Sequence, residues 1–260
     1  MDKKLEILRE YIHSLGSVAV AFSGGVDSTL LLKVAQMAIG NSAVAVTVSS
    51  CLVPECEVAE TEEFCATEGI RQIIVRYDPL AVPGFAENLP ERCYLCKSRI
   101  FDEIKKSVAP LAINNIAEGS NVDDEGDYRP GMRAVAEQGI LSPLRYAGLN
   151  KAEIRALSAR LGLATANKPS LACLASRIAY GDVITEEKLR MTDAAETYLH
   201  RLGFGQLRVR LHGSIARIEL MPEEISKMFE VRNEVYIKLK SLGFKYVSLD
   251  LGGYKTGSMN

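Results

Sequence analysis

A chain of 260 residues with 47% apolar and 25% charged side chains can hold one large domain, or a medium one joined to a small one, around an ordinary soluble-protein core. Its formal net charge of −2 argues against a protein whose main task is gripping a nucleic-acid backbone, leaving room only for a local basic patch. The N-terminal stretch MDKKLEILREYIHSLGS contains no apolar run fit for secretion or membrane spanning, so no membrane partner and a cytoplasmic location are expected. In that setting six cysteines read as thiols, metal ligands or nucleophiles rather than as a disulfide framework.

Lys3 to Leu15 alternates charge with leucines and predicts an amphipathic helix. Val18 to Phe22 is a short apolar strand running into Ser23-Gly24-Gly25-Val26-Asp27-Ser28, and a leucine-rich helix follows from Leu30 to Ile39. Two adjacent glycines let backbone come close to a ligand, and the first turn of the next helix offers unpaired N–H groups and the positive end of its dipole. The geometry suits a phosphate, although a capped βα connection has the same spacing. No lysine follows the glycines, so the loop is not the GxxxxGK[ST] pattern.

Ala43 to Val48 predicts a buried strand, Val58 to Glu68 a helix ended by Gly69, and Arg71 to Arg76 a third strand. This rhythm means a doubly wound parallel α/β sheet, whose ligands sit beyond the carboxyl ends of the strands. Thr47, Ser49 and Ser50 lie on that edge, either lining an adenine pocket or simply ending the strand in polar residues. Pro79 to Pro90 is an irregular connection. It leads to ERCYLCK, in which Cys93 and Cys96 form a C-x-x-C ahead of a helix from Lys97; the spacing suits a metal, an iron–sulfur cluster or a dithiol, and one pair alone completes no four-ligand site. Leu111 to Ala117 reads as a fourth strand. The loop EGSNVDDEGDYRPGMRA after it is expected to be irregular, and it carries Gly119, Asp123 and Glu125 to the same edge as the glycine turn. Carboxylates there are either solvated or near a triphosphate as magnesium ligands and positioning groups.

Ile140 to Pro143 predicts a short fifth strand, and Asn150 caps a helix from Lys151 to Leu161 that Gly162 ends. The segment ATANKPSLACLASRIAYGDVI marks a joint, with domains expected at 1–167 and 168–260. It carries Cys173, Ser176 and Arg177, and positive neighbours including Lys168 favour the thiolate, the reactive form of the cysteine. A small buried cysteine is the bland alternative. The rest predicts a compact α+β unit: a helix from Thr185, its cap, to Arg201; a hairpin over Gln206 to Leu220 turning near Gly213; a helix from Pro222 to Leu242; a strand from Tyr246 to Leu251; and a tail, GGYKTGSMN, expected to be mobile. Arg208 and Arg210, two apart on one strand, share a face, either to hold a substrate phosphate or as a solvated face paired with Glu219.

The string SGGVDS resembles the signature of the PP-loop ATP pyrophosphatase family. Together with RCYLCK, EGSNVDDEGDYRPGMRA and KPSLACLASRI, in that order over nearly the whole chain, it looks like one branch of that family, the ATP-dependent sulfur transferases that prepare the nickel-pincer nucleotide cofactor of lactate racemase. The resemblance implies that ATP and magnesium adenylate a carboxylate of a pyridinium mononucleotide, with pyrophosphate leaving, and that a thiol at Cys173 attacks the activated carbonyl. It implies further that Ser23, Gly24, Gly25 and Ser28 contact phosphates, with Asp27 helping to hold magnesium. It sets Glu125 and Tyr94 beside the active centre with Ser176 and Arg177, places substrate phosphate on Arg208 and Arg210, and gives Glu196 and Glu219 acidic, metal-directed roles. In some members Cys173 itself is the sulfur donor. In others three cysteines, here Cys93, Cys96 and Cys173, hold a [4Fe-4S] cluster that carries an extra sulfide, and three ligands in two segments favour that version here. Members assemble as hexamers, so a homo-oligomer is expected. Rival readings are a tRNA thiolase of the same superfamily and a non-catalytic ATP-binding sensor. Cys51, Cys56 and Cys65 are expected to be spectators.

Overall fold

The computed structural model describes residues 2–124, 130–169 and 172–255. They fall into two compact units, one of Met1–Asp78 with Cys93–Leu171 and the other of Pro79–Arg92 with Ala172–Asn260. The irregular stretch before the C-x-x-C thus folds with the second unit, which no local pattern announces.

In the first unit, α1 (Asp2–Leu15) precedes β1 (Val18–Ala21), α2 (Val26–Ile39), β2 (Ala43–Ser49), α3 (Glu55–Glu68) and β3 (Arg71–Arg76). Then come α4 (Arg92–Val108), β4 (Ile116–Ala117), α5 (Pro130–Glu137), α6 (Pro143–Tyr146) and α7 (Lys151–Arg160). The strands form one parallel sheet in the order β3-β2-β1-β4, with Val18 opposite Ala43 and Ala19 opposite Ile116. Period-two alternation sends Val18 and Val20 into a core with Leu30, Leu31 and Leu157, while Ala19 faces Phe101, Ile104 and Val135 on the other side. Both faces are therefore covered by helices, as parallel sheets require. Since β2 and β4 flank β1 on opposite sides, the loops leaving β1 and β4 open at the point where strand order reverses.

The structure corrects several local expectations. The fourth strand shrinks to two residues, because Ala109–Leu111 forms a 3-10 turn and Ala112 takes a left-handed φ of 53°. The Asn115 amide is spent on the carbonyls of Leu15 and Ser17. Ile140 to Pro143 contributes only a bridge, Ala117 to Leu141, and Pro143 opens α6. PGMRA belongs to α5, since proline at a first helical position loses no needed N–H. The helix behind the C-x-x-C starts at Arg92, so both cysteines lie within its first two turns. Asn150 does close a full capping box with Glu153.

In the second unit, α8 (Glu186–Arg201), capped by Thr185, packs on β5 (Leu207–His212) and β6 (Ile215–Leu220), an antiparallel hairpin turning at Gly213 with φ of 58°. After α9 (Ile225–Ser241), β7 (Tyr246–Leu249) adds parallel to β6. Part of the expected tail is fixed: the Tyr254 N–H donates to Leu220 O at 2.7 Å, and a Cβ on Gly253 would lie 2.8 Å from the same oxygen. Asn88 organises the unit's other end. Fully buried with φ of 57°, it gives its amide N–H groups to the carbonyls of Ile178, Ala179 and Asp182, and it accepts from Arg92.

Candidate active site

The glycine turn leaves β1 at Phe22, whose carbonyl accepts from the Thr47 hydroxyl at 2.9 Å; Thr47 in turn accepts from Gln72 Nε2 at 2.9 Å. Thr47 is thus buried beneath the turn and braces it. Gly24 has φ of 71° and lies so close to α3 that a Cβ would meet Thr61 Cγ2 at 3.0 Å, so any side chain would be both strained and crowded. Gly25 is the N-cap of α2, with no side-chain cap of its own. The Ser28 hydroxyl turns back to receive Ser23 N–H at 3.3 Å and reaches Gly25 O at 3.2 Å. The start of α2 carries no side-chain cap, and uncapped N–H groups at a helix start are the donors a phosphate oxygen needs.

The loop after β4 comes to the same place. A Cβ on Gly119 would stand 3.0 Å from Ser28 N and 3.1 Å from Asp27 Cβ, so glycine lets the two loops touch. Asn121 Nδ2 then donates to Asp27 Oδ1 at 3.2 Å, and Lys151 Nζ, from the start of α7, pairs with Asp27 Oδ2. Asp123 accepts from the Lys151 N–H at 2.8 Å. Glu125 lies outside the described residues. Ser23, Gly24, Gly25, Asp27, Ser28, Gly119 and Asp123 are therefore brought together. Asp27 offers one partly exposed carboxylate, a donor set that fits magnesium, which is commonly held by one or two carboxylates plus substrate phosphates.

Sequence reasoning missed three charged groups here. Lys151 carries no local signal beyond following a cap residue. Lys168 was grouped by sequence with Cys173, yet its ammonium donates to Gly24 O at 3.1 Å. Glu118 is buried and accepts from Ser120 and Ser142 hydroxyls at 2.7 and 2.6 Å, with Lys97 at 3.9 Å.

Within α4, Cys93 is exposed and Cys96 buried, with the Tyr77 hydroxyl 3.8 Å from Cys96 Sγ. Burial, then the neighbouring Cys96, pushes the Tyr77 phenol well above its usual range. Tyr94 stacks beneath Arg133 and donates to Glu137 at 2.6 Å. Among the described residues no three Cys, His, Asp or Glu side chains form a ready metal-binding group.

In the second unit Cys173 is exposed, against the buried alternative, and starts a 3-10 turn over Leu174–Arg177. The turn is gripped from inside. Buried Arg177 donates to Ala172 O at 2.5 Å, Cys173 O at 3.2 Å and Ser176 Oγ at 3.1 Å, while Glu196 takes its other edge at 3.0 and 2.7 Å. Arg210 adds a bond to Ser176 O at 2.9 Å and pairs with Glu219, whose second oxygen accepts from Arg217 at 2.9 Å. Arg208 and Arg210 do share a face of β5, but both are buried, so neither belongs to a solvated face. Burial, followed by the charge of Arg177, lowers the pKa of Arg208. Both Glu196 and Glu219 spend their oxygens on guanidinium groups, which positions arginines rather than presenting a carboxylate cluster to a cation.

A doubly wound α/β domain with a glycine turn at its switch point, followed by a small α+β unit that displays one thiol on an arginine-clamped turn, is the class of protein these features define. No protein-family model matches the chain. Among curated proteins it is 42% identical over its whole length to an uncharacterised protein of Synechocystis sp., covering 98% of that chain. It is 37% identical over 96% of its length to the pyridinium-3,5-bisthiocarboxylic acid mononucleotide synthase of Lactiplantibacillus plantarum, covering 91% of it, and 28% identical over 92% to an uncharacterised protein of Methanocaldococcus jannaschii, covering 91% of it. The chain belongs to the family of that synthase. Among the described residues no helix is long and apolar enough to cross a membrane.

Proposed function

We propose that this protein is an ATP-dependent sulfur transferase that converts carboxylates of a pyridinium dicarboxylate mononucleotide into thiocarboxylates, a step in making the nickel-pincer nucleotide. The observation that carries the reading is the 37% identity to the named synthase across 96% of the chain, a span that takes in both the glycine turn and the Cys173 turn. The chemistry divides accordingly. A carboxylate resists a nucleophile because oxide is a poor leaving group; adenylation with loss of pyrophosphate supplies a good one. Ser23, Gly24, Gly25 and Ser28 cradle the phosphates, Asp27 is the carboxylate for magnesium, and Gly119 and Asp123 shape the opposite wall. Cys173 is the nucleophile, Arg177 and Ser176 fix its turn, and Arg208 with Arg210 provide positive charge for the substrate phosphate.

Cys93, Cys96 and Cys173 are the thiols that would hold a [4Fe-4S] cluster, which when bound would carry an extra sulfide delivered by an outside sulfide source and so let the protein turn over. The expected assembly is a homo-oligomer. The deciding experiment measures pyrophosphate release from ATP and magnesium with and without the pyridinium dicarboxylate mononucleotide, and then follows thiocarboxylate by mass spectrometry. Release that depends on this substrate, with product formed by wild type and not by Cys173→Ala, supports the reading. Nucleotide binding without release supports the sensor alternative.

A further inference from the structure

A cradle of backbone N–H groups binds phosphate well only if the chain that carries them is held in place before the ligand arrives. Beyond the contacts between Ser23 and Ser28 inside the glycine turn, the support comes from beneath. The Thr47 hydroxyl, on β2, donates to Phe22 O at 2.9 Å, where β1 enters the turn. The Thr61 hydroxyl, on α3, donates to Val58 O at 2.6 Å, and its methyl group stands 3.0 Å from where a Gly24 Cβ would be. Both threonines are buried. Each hydroxyl has one hydrogen, already given to a carbonyl, so each can only accept from a further group. One side chain serves both: Gln72 Nε2, from β3, lies 2.9 Å from Thr47 Oγ1 and 2.9 Å from Thr61 Oγ1. The count of hydrogens fixes which way this amide points, because its oxygen in the same place would meet two hydroxyls with no hydrogen to offer.

Resting on the nucleotide reading above, we propose that Gln72 is a positioning residue of the nucleotide loop: its two amide hydrogens tie Thr47 to Thr61 and so hold the glycine turn, at its entry and at Gly24, in the shape that binds the phosphate chain. Gln72 sits two strands away from β1 in the order β3-β2-β1-β4 and acts on the ligand only through the two threonines. A carboxylate of the same size reverses the polarity. Gln72→Glu in its ionised form has no hydrogen to donate, so the hydroxyls either face it lone pair to lone pair or turn their own hydrogens away from Phe22 O and Val58 O; in both cases the turn loses its brace. Protonation returns one O–H donor. The ordinary glutamate value of about 4.3 is raised by burial and by the facing lone pairs, which brings this titration into a workable range. The other titratable groups on this side of the turn, Glu57 and Glu60 of α3 and Lys168 with its bond to Glu60, are shared with wild type, so the variant-to-wild-type ratio at each pH cancels them.

The test uses the full chain and equilibrium titrations with ATP and with inorganic pyrophosphate, in magnesium, at about pH 8 and at about pH 5.5. A hydrogen bond is worth on the order of twofold to tenfold in an equilibrium constant, and two are at stake. Gln72→Glu should weaken ATP and pyrophosphate together by roughly tenfold or more at the higher pH and recover to within about threefold of wild type at the lower. Gln72→Met removes both donors at similar volume and adds no charge, so it should weaken both ligands by about threefold to tenfold at either pH. Melting scans of the same samples establish that each variant is folded, and if Gln72→Glu does not fold, Gln72→Met decides. A residue that only supports the fold would lower the melting midpoint and leave both affinities within about twofold of wild type, which overturns the proposal. A loss confined to ATP overturns it too, since that means contact with the base, as does a Gln72→Glu loss of equal size at both pH values. Those outcomes leave the nucleotide reading standing. If wild type binds neither ATP nor pyrophosphate, the nucleotide reading itself falls and takes this inference with it.

Discussion

Replacing Glu196 by glutamine separates a clamped thiol turn from a merely adjacent one. Glu196 Oε1 accepts from Arg177 Nε at 3.0 Å and from Val209 N–H at 2.9 Å, and Oε2 accepts from Arg177 Nη2 at 2.7 Å. The side chains are 6% and 8% exposed, so water cannot take over. Glu196→Gln keeps the volume and one acceptor, but it turns an amide NH2 toward a guanidinium N–H and leaves the Arg177 charge buried without its counterion. Removing one partner of a buried pair costs about 3–5 kcal/mol. At about 2–4 °C per kcal/mol for a chain of this size, the melting midpoint falls by roughly 6–20 °C. Glu6→Gln is the control: its partner Arg9 lies 3.5 Å away with side-chain exposures of 58% and 44%, and the shift stays within about 2 °C. Differential scanning calorimetry reads both. A Glu196→Gln midpoint within about 2 °C of wild type refutes the claim that this pair is a buried support of the Cys173 turn.

Gly119→Ala should lower ATP affinity at least about tenfold in equilibrium titrations, because its Cβ meets Ser28 N and Asp27 Cβ at 3.0 and 3.1 Å and pushes the two loops apart. Wild-type affinity would show that the contact yields. Iron and acid-labile sulfide assayed after anaerobic purification, with mass spectrometry of the Cys173 peptide after reaction, are expected to show cluster iron and an intact cysteine; dehydroalanine without iron means that Cys173 gives up its own sulfur. Alkylation at pH 8 should modify exposed Cys56 rapidly and leave Cys65 untouched, since burial raises the Cys65 thiol to about 12. Burial also lowers the His212 pKa in the folded state, so the unfolded chain binds more protons. Stability then drops as pH falls through the unfolded value of about 6.5 toward the lower folded one, and His212→Gln should flatten that slope in denaturant titrations between pH 7 and pH 5.

Much of this was legible before any coordinates, and the gaps have physical causes. The strands β1 and β2 are apolar runs because both faces are buried, and such runs stand out, whereas β3 keeps only Ile73, Ile74 and Val75 between polar ends. The Asn150 and Thr185 caps are local hydrogen-bond patterns and carry local signals. By contrast β4 survives as two residues only because it completes an edge, a tertiary fact that the apolar stretch Leu111 to Ala117 does not record. Asn88 is the clearest case of the same limit. It sits in a proline-rich connection, and its importance comes from three carbonyls some ninety residues later. At the site, glycines and the lone thiol were visible as types, whereas Lys151 and Glu118 acquire meaning only from what folding sets beside them.

The two units treat charge in opposite ways, and the difference matches the steps proposed for them. Around the glycine turn the ion pairs are partly exposed: Asp27 with Lys151, and Lys168 with Glu60, whose side chain is 56% exposed. Exposed pairs are worth about 0–1 kcal/mol, so these cations can change partners at little cost. Around Cys173 the groups are sealed, with Glu219 fully buried between Arg210 and Arg217 and Arg177 shut against Glu196. Breaking such a pair costs about 3–5 kcal/mol, so these arginines hold one arrangement. A site that binds and expels pyrophosphate needs cheap exchange, whereas a thiol aimed at an activated carbonyl needs a fixed turn. Substituting the exposed pairs should therefore move nucleotide affinities with little change in melting, and substituting the buried ones should do the reverse.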